Sequence, residues 1–186
     1  MCYTININLT REQIEKRFGV KSDITDEYTR GKKVSAFSLP TVAVIPSATP
    51  EELKIMTWGL IPFWAKDEES ARTIRMKTFN AKAETLGEKP AFRNSFKSKR
   101  CIVPVNGFYE WQHAGKEKIP YYITLKENDI IGLAGLYDEW TNSITGELLT
   151  TFTIITTPAN AMMEIIHNTK KRMPAILSPY AEKDWL

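Results

Sequence analysis

The sequence predicts an α+β domain with an antiparallel, strongly β core and short peripheral helices. Three observations predict it. The second half is strand after strand: "CIVPVNGFYEWQ" turns through "HAGK" into "IPYYITLK", and "IIGLAGLYDEW" turns through "TNSITGE" into "LLTTFTIITT". Segments of that kind joined by polar turns make hairpins and an antiparallel core. Helical spacing is confined to brief stretches with their own start and stop residues. Finally, 186 residues at 42% hydrophobic and 25% charged suit one domain with a single core.

Taken in order, "LTREQIEKRFGV" predicts a helix. Thr10 is its N-cap, Gln13 holds the capping-box position, Ile14 and Phe18 lie four apart, and Gly19 stops it. "KVSAF", "TVAVIP" and "LKIMTWGL" read as strands separated by turn residues. "IPFWAKDEESARTIRMK" reads as a loop with a single helical turn, and "AETLGEKPAFRNSFKSK" as two short helices broken at Gly87 and Pro90. The echo between "GFYEW" and "GLYDEW" reads as two similar hairpins rather than a repeat. "TTPANAMMEIIHN" predicts a helix over 158–166 with Thr157 as N-cap and Pro158 at its first position. "SPYAEKDWL" opens another helix with Ser178 and Pro179; the chain stops inside it, which reads as a single domain over 1–186 truncated at its C-terminus.

No apolar run approaches the ~20 residues of a membrane span, and the N-terminus lacks the basic-then-apolar pattern of a signal peptide. The two cysteines, Cys2 and Cys101, point to a reducing cytoplasm rather than a disulfide. With only His113 and His167 beside them they make no zinc site, and no cofactor is expected. The net charge is +3, unevenly spread. Between Arg72 and Arg100, nine basic side chains, among them Lys77, Lys82 and Arg93, face only Glu84 and Glu88. Such a stretch is either a solvated basic surface or the footprint of a polyanion groove.

Several residues are candidates for chemistry. Alternation along "CIVPVNGFYEW" puts Val103, Val105, Tyr109 and Trp111 on one face, and Asn106, Phe108 and Glu110 on the other. Glu110 is then either a desolvated carboxyl fitted for proton transfer or a carboxylate ion-paired on an open sheet face. His167 ends a helix, where the macrodipole favours its cation; it is a simple cap or a proton donor near neutral pH. His113 sits in a polar hairpin turn and is expected to be exposed. Asn80 lies in a strand, where asparagine is disfavoured, so it either orients something or marks a turn. One of Trp58 and Trp64 is expected in the core and the other exposed, where a ring beside basic residues would stack on bases. Cys101 reads as an inert buried thiol. Cys2 follows the start methionine, and Met1 is normally clipped before a side chain this small. Cys2 would then carry a free α-amine and a thiol on adjacent carbons.

"MC" at the start, "WGLIPFWAKD", "FNAKAET", "RCIVPVNGFYEW" and "IIHNTKKRMPAIL" together resemble, in this order, the SOS-response-associated peptidase (SRAP) family. The resemblance runs from residue 2 to about residue 178. It implies an α+β fold of curved, barrel-like antiparallel sheets with a basic groove, in a cytoplasmic DNA-damage (SOS) response protein that is nucleoid-associated when bound to DNA. It also implies an N-terminal cysteine that crosslinks to abasic sites in single-stranded DNA. Carried onto this chain, Cys2 is the crosslinking residue, with Asn80, Glu110 and His167 completing the site and Trp64, Lys77, Lys82, Arg93 and Arg172 touching DNA. The expected partner is single-stranded DNA containing abasic sites, met by a monomer with no membrane association. The start differs from the family's frequent "MCGR", so an arginine near the terminus is missing, and "FSLPTVAVIP" replaces its "YN-x-AP". Two alternatives stay open. One is a cysteine peptidase, a hydrolase that at least removes its own Met1; the family also implies lyase-like chemistry. The other is a noncatalytic single-strand binder.

Overall fold

A computed structural model describes residues 2–25, 27–126 and 130–186; Met1, whose removal the sequence reading expects, lies outside the described residues. The elements run β1 (Thr4–Asn6), α1 (Arg11–Phe18), β2 (Val34–Ser35), β3 (Thr41–Pro46), β4 (Lys54–Trp58), α2 (Glu68–Arg75), β5 (Asn80–Lys82), α3 (Arg93–Ser98), β6 (Arg100–Val105), β7 (Gly107–Ala114), β8 (Glu117–Ile123), β9 (Ile131–Thr141), β10 (Leu148–Pro158), α4 (Ala161–Ile166), β11 (Arg172–Pro174), β12 (Ile176–Leu177) and α5 (Ala181–Trp185). Single 3-10 turns lie at Ala36–Ser38 and Ala83–Thr85.

The two long strands β9 and β10 form the hairpin read from sequence, in register from Leu148 opposite Thr141 to Ile154 opposite Gly135. β9 continues antiparallel to β6, β6 to β3, and β3 to β4. β4 then meets β10 in parallel, Thr57 opposite Thr151 and Trp58 opposite Phe152, which closes a five-stranded barrel. The sequence reading expects antiparallel pairing throughout. β4 and β10 are far apart in the chain, so no hairpin fixes their relative direction. Inside the barrel Trp58 stacks on Phe152 with ring centroids 6.1 Å apart, and its indole N–H donates to the Phe79 carbonyl at 2.9 Å. Gly135 on β9 admits no side chain, because a Cβ there would lie 2.8 Å from the Thr153 carbonyl and 2.9 Å from the Cys101 sulfur. Cys101 is buried, as expected.

A second, four-stranded sheet of order β2-β1-β7-β8 packs one face on this core. Here "CIVPVNGFYEW" departs from the reading of one strand. It is two strands in two sheets, β6 in the barrel and β7 in the second sheet, parted by Asn106 alone. Gly107 makes the turn possible, since a Cβ would fall 2.4 Å from the Ile123 carbonyl. The alternation does hold along β7, with Phe108 and Glu110 buried and Tyr109 and Trp111 on the other face.

The helices follow local rules more fully than read. α1 has the expected capping box of Thr10 and Gln13 and ends at Gly19 with φ +70°. Where one helical turn was expected, α2 spans eight residues. Asp67 caps it, accepting from the Ser70 N–H at 2.7 Å, and Glu68, Glu69, Arg72 and Arg75 complement its dipole. At the fourth helix, Thr157 and Pro158 stay in β10, paired with β11, and Asn160 is the N-cap, accepting from the Met163 N–H at 2.9 Å. Pro158 sits at a strand end, where its missing N–H costs nothing.

Candidate functional site

The site forms where the second sheet meets the barrel. Cys2 precedes β1 and is fully buried. Asn80 opens β5, which lies parallel beside β10. Its side-chain N–H donates to the Cys2 carbonyl at 2.9 Å, so a barrel strand holds the terminal residue of the second sheet. The strand asparagine does orient something. Its Oδ1 is also buried and accepts no hydrogen bond among the described residues.

Glu110 projects inward from β7 and His167 caps the C-terminus of α4; they are 4% and 6% exposed. α4 is tied to β7 by Gln112 donating to the Ile165 carbonyl at 3.1 Å. Asn168 adds a two-way bond with the His113 backbone, at 3.1 and 2.8 Å. The tie leaves His167 Nε2 3.8 Å from Glu110 Oε2. On its other side Nδ1 lies 2.7 Å from the Arg172 carbonyl. The Arg172 N–H also lies 3.3 Å from Nδ1, but the shorter contact is to a carbonyl, which only accepts. On that ground the proton of the neutral ring is assigned to Nδ1, leaving Nε2 toward Glu110 as the basic nitrogen. His113 is exposed, as expected.

Burial sets the electrostatics. It pushes the Glu110 carboxyl up to about 7, so the acid and its conjugate base coexist at neutral pH. It moves His167 down, toward the neutral ring, outweighing the bond to the Arg172 carbonyl. The dipole of the six-residue α4 favours the cation and burial acts against it. Burial first, and the Glu110 charge second, hold the Cys2 thiol well above its ordinary range. A cleft of about 430 Å³ opens onto the pair, lined by Tyr3, Glu110, Trp111, His167 and Lys170 among others. At 3.8 Å the pair is just beyond a direct hydrogen bond. What the arrangement can do chemically is relay a proton between Glu110 and His167 Nε2 through one intervening group, a water or a substrate hydroxyl, beside a seated Cys2.

The basic residues divide. Lys77, Lys82 and Arg93 are exposed. Lys99 instead pairs with Asp138 and Glu139, both at 2.9 Å. Arg172 spans Glu84 with both guanidinium nitrogens, Nη2 at 2.9 Å, and donates to the Thr156 carbonyl at 2.6 Å. Its guanidinium holds Glu84 down at about 2. Trp58 is the core tryptophan and Trp64 the exposed one, at 42%. The Trp64 loop is pinned by Asp138 accepting from the Phe63 N–H at 2.9 Å and by Trp140 donating to the Ala65 carbonyl at 2.7 Å. Sequence reasoning missed Asn168, Glu84 and Asp138. Their roles rest on partners far along the chain, and no local pattern marks them.

Comparison with known proteins agrees with this architecture. The crystal structure of a Bacteroides thetaiotaomicron protein matches with a TM-score of 0.95 at 43% identity, over 100% of this chain and 81% of its own. A Bordetella bronchiseptica protein matches with a TM-score of 0.85 at 27% identity, over 100% of this chain and 88% of its own. In sequence, abasic site processing protein YoqW of Bacillus subtilis (strain 168) is 42% identical over 188 residues, covering 100% of this chain and 80% of YoqW. Abasic site processing protein HMCES of Xenopus tropicalis is 39% identical over 153 residues, covering 72% of this chain and 44% of HMCES. The model of the SOS response associated peptidase (SRAP) family matches residues 1–186, and the chain belongs to that family.

Proposed function

We propose that this protein processes abasic sites in DNA by capturing them covalently on Cys2 once Met1 is removed. The observation that carries the reading is the bond from Asn80 to the Cys2 carbonyl, which seats a would-be terminal residue beside the Glu110–His167 pair. The names of the relatives point to the same substrate.

An abasic site is a hemiacetal in equilibrium with a ring-opened aldehyde. A terminal amine, with an ordinary pKa of about 7.7–8.0, is partly neutral at neutral pH and attacks that carbonyl carbon. The carbinolamine loses water to give an imine. An imine left alone promotes β-elimination and breaks the strand. Addition of the Cys2 sulfur to the imine carbon, with its proton passing to the imine nitrogen, closes a five-membered thiazolidine. The sum is aldehyde plus aminothiol giving thiazolidine plus water. Near its pKa of about 7, Glu110 both accepts and returns protons, with His167 Nε2 beside it. Asn80 positions Cys2. Trp64, Lys77, Lys82 and Arg93 offer stacking and phosphate contacts to single-stranded DNA. Arg172 joins that set when a phosphate replaces Glu84 on its guanidinium.

The peptidase reading is less well supported. A cysteine-peptidase nucleophile attacks first and works as a lowered-pKa thiolate, whereas burial raises the Cys2 thiol. In the capture reading the amine attacks first and the sulfur adds afterwards, within the same residue, to an already activated imine carbon. The test is denaturing electrophoresis with abasic and intact oligonucleotides. A shifted band is expected with abasic DNA alone, and cleavage of supplied peptides without such a band would overturn the reading. Lys77→Ala and Lys82→Ala should each lower single-strand affinity and flatten the salt slope by about 0.7.

A further inference from the structure

Trp111 lines the cleft from the opposite side of its strand to Glu110. In the four-stranded sheet the face turned away from the barrel carries Lys33 beside β2, Thr4 and Asn6 on β1, Tyr109 and Trp111 on β7, and Tyr122 on β8. Strand register places them there: Thr4 lies opposite both Ser35 and Tyr109, and Tyr109 lies opposite Tyr122. The rings of Tyr109 and Tyr122 are 4.9 Å apart, and Tyr122 is 44% exposed. Lys33, also exposed, holds its ammonium 5.8 Å from the Tyr109 ring and 5.6 Å from the Trp111 ring. Asn6 donates to the Tyr122 hydroxyl at 2.9 Å, which fixes that ring. At the far end a polar hollow of about 390 Å³ is lined by Lys32, Asn8, Tyr122 and Thr124 among others. Aromatic side chains fixed on an open antiparallel face with a cation between them stack nucleobases while the cation meets phosphate.

We propose that this face is a second single-strand subsite. Nucleobases flanking the lesion leave the cleft past Trp111 and stack on Tyr109 and Tyr122, and Lys33 meets the backbone between them. The inference rests on the proposed capture of abasic DNA, and it extends the contact surface beyond the residues named there. Trp111, shared by the cleft lining and this face, and the two exposed lysines, Lys32 and Lys33, favour a polyanionic strand as occupant.

The test measures anisotropy binding of the full chain to single strands carrying a tetrahydrofuran abasic analogue, which has no aldehyde and reports noncovalent binding alone. One probe has about six nucleotides on each side of the lesion, within the usual single-strand footprint, and the other about one. The unsubstituted protein should prefer the long probe. Tyr122→Ala should reduce that preference about tenfold, Tyr122→Phe should restore most of it, and Lys33→Gln should reduce it less while flattening its salt dependence. Equal preference in the unsubstituted protein and Tyr122→Ala overturns the subsite, and so does a Tyr122→Phe loss as large as that of Ala. A natural abasic strand tried in parallel separates the two failures. A heat-stable adduct with no effect of the Tyr122 substitutions overturns the subsite alone, whereas no adduct at all overturns the capture reading and the subsite with it.

Discussion

Glu110→Gln is expected to slow crosslinking by roughly 100-fold or more while making the protein more stable. Both effects come from the same burial. The carboxyl is 4% exposed and pushed up to about 7 from an ordinary 4.5. A carboxyl whose folded value is raised stabilises the fold fully below its unfolded value. That contribution is lost as pH rises toward the folded value, because the folded state then holds a charge it solvates poorly. The unsubstituted protein should therefore lose stability between about pH 4.5 and pH 7, by about 3 kcal/mol at 1.36 kcal/mol per tenfold. Glutamine keeps the shape and never ionises. Thermal melts across this range should show the variant's advantage appearing as pH rises. The rate should fall below about pH 7 in the unsubstituted protein, as Glu110 and the amine both become protonated. A variant that crosslinks at the parent rate would return Glu110 to a structural role.

Cys2→Ser is expected to abolish the stable adduct. A serine at the terminus keeps the amine, so an imine still forms. Its hydroxyl is a poorer ring-closing nucleophile than sulfur, and the imine is left to hydrolyse or to promote β-elimination. On a denaturing gel the shifted band should disappear, and strand cleavage at the abasic site should increase. Cys2→Ala lacks a ring-closing atom altogether and should do the same or worse. Position 2 is fully buried in the core, its sulfur 3.9 Å from the Thr4 carbonyl, and serine is close to cysteine in size, so a thermal melt of the variant separates a chemical loss from a failure to fold.

The features legible in the sequence were those set by neighbours. Thr10, Gln13 and Gly19 bound α1 by contacts within one helix, and the period of two along β7 put Glu110 on the face of Phe108, while only the packing of the two sheets makes that the buried face. Asn80 and His167 were marked as candidates by residue type and position, and packing brings them to one place. What was not legible depends on partners distant in the chain. The parallel closure of β4 on β10 leaves no local signal. The one-residue break at Asn106 hides in an apolar run, although Gly107 was its visible trace. The neutral preference of His167 depends on α4 docking against β7, and the pairing of Arg172 with Glu84 spans 88 residues. α2 was under-read because Ala71 and Ile74 are its apolar residues and its capping box lies in the charged run "KDEES".

The central claim is that the reagent is an amine and a thiol on one terminal residue. The most direct measurement blocks the amine and leaves the thiol. A protein with one residue added so that Cys2 is preceded by an uncleaved peptide bond is compared with processed protein, with intact mass verifying each terminus. An amide nitrogen cannot condense with an aldehyde, and a thiol alone gives a hemithioacetal that denaturation reverses. The account predicts no heat-stable crosslink to abasic single-stranded DNA from the blocked protein and a full one from the processed protein. Equal crosslinking by both would contradict it.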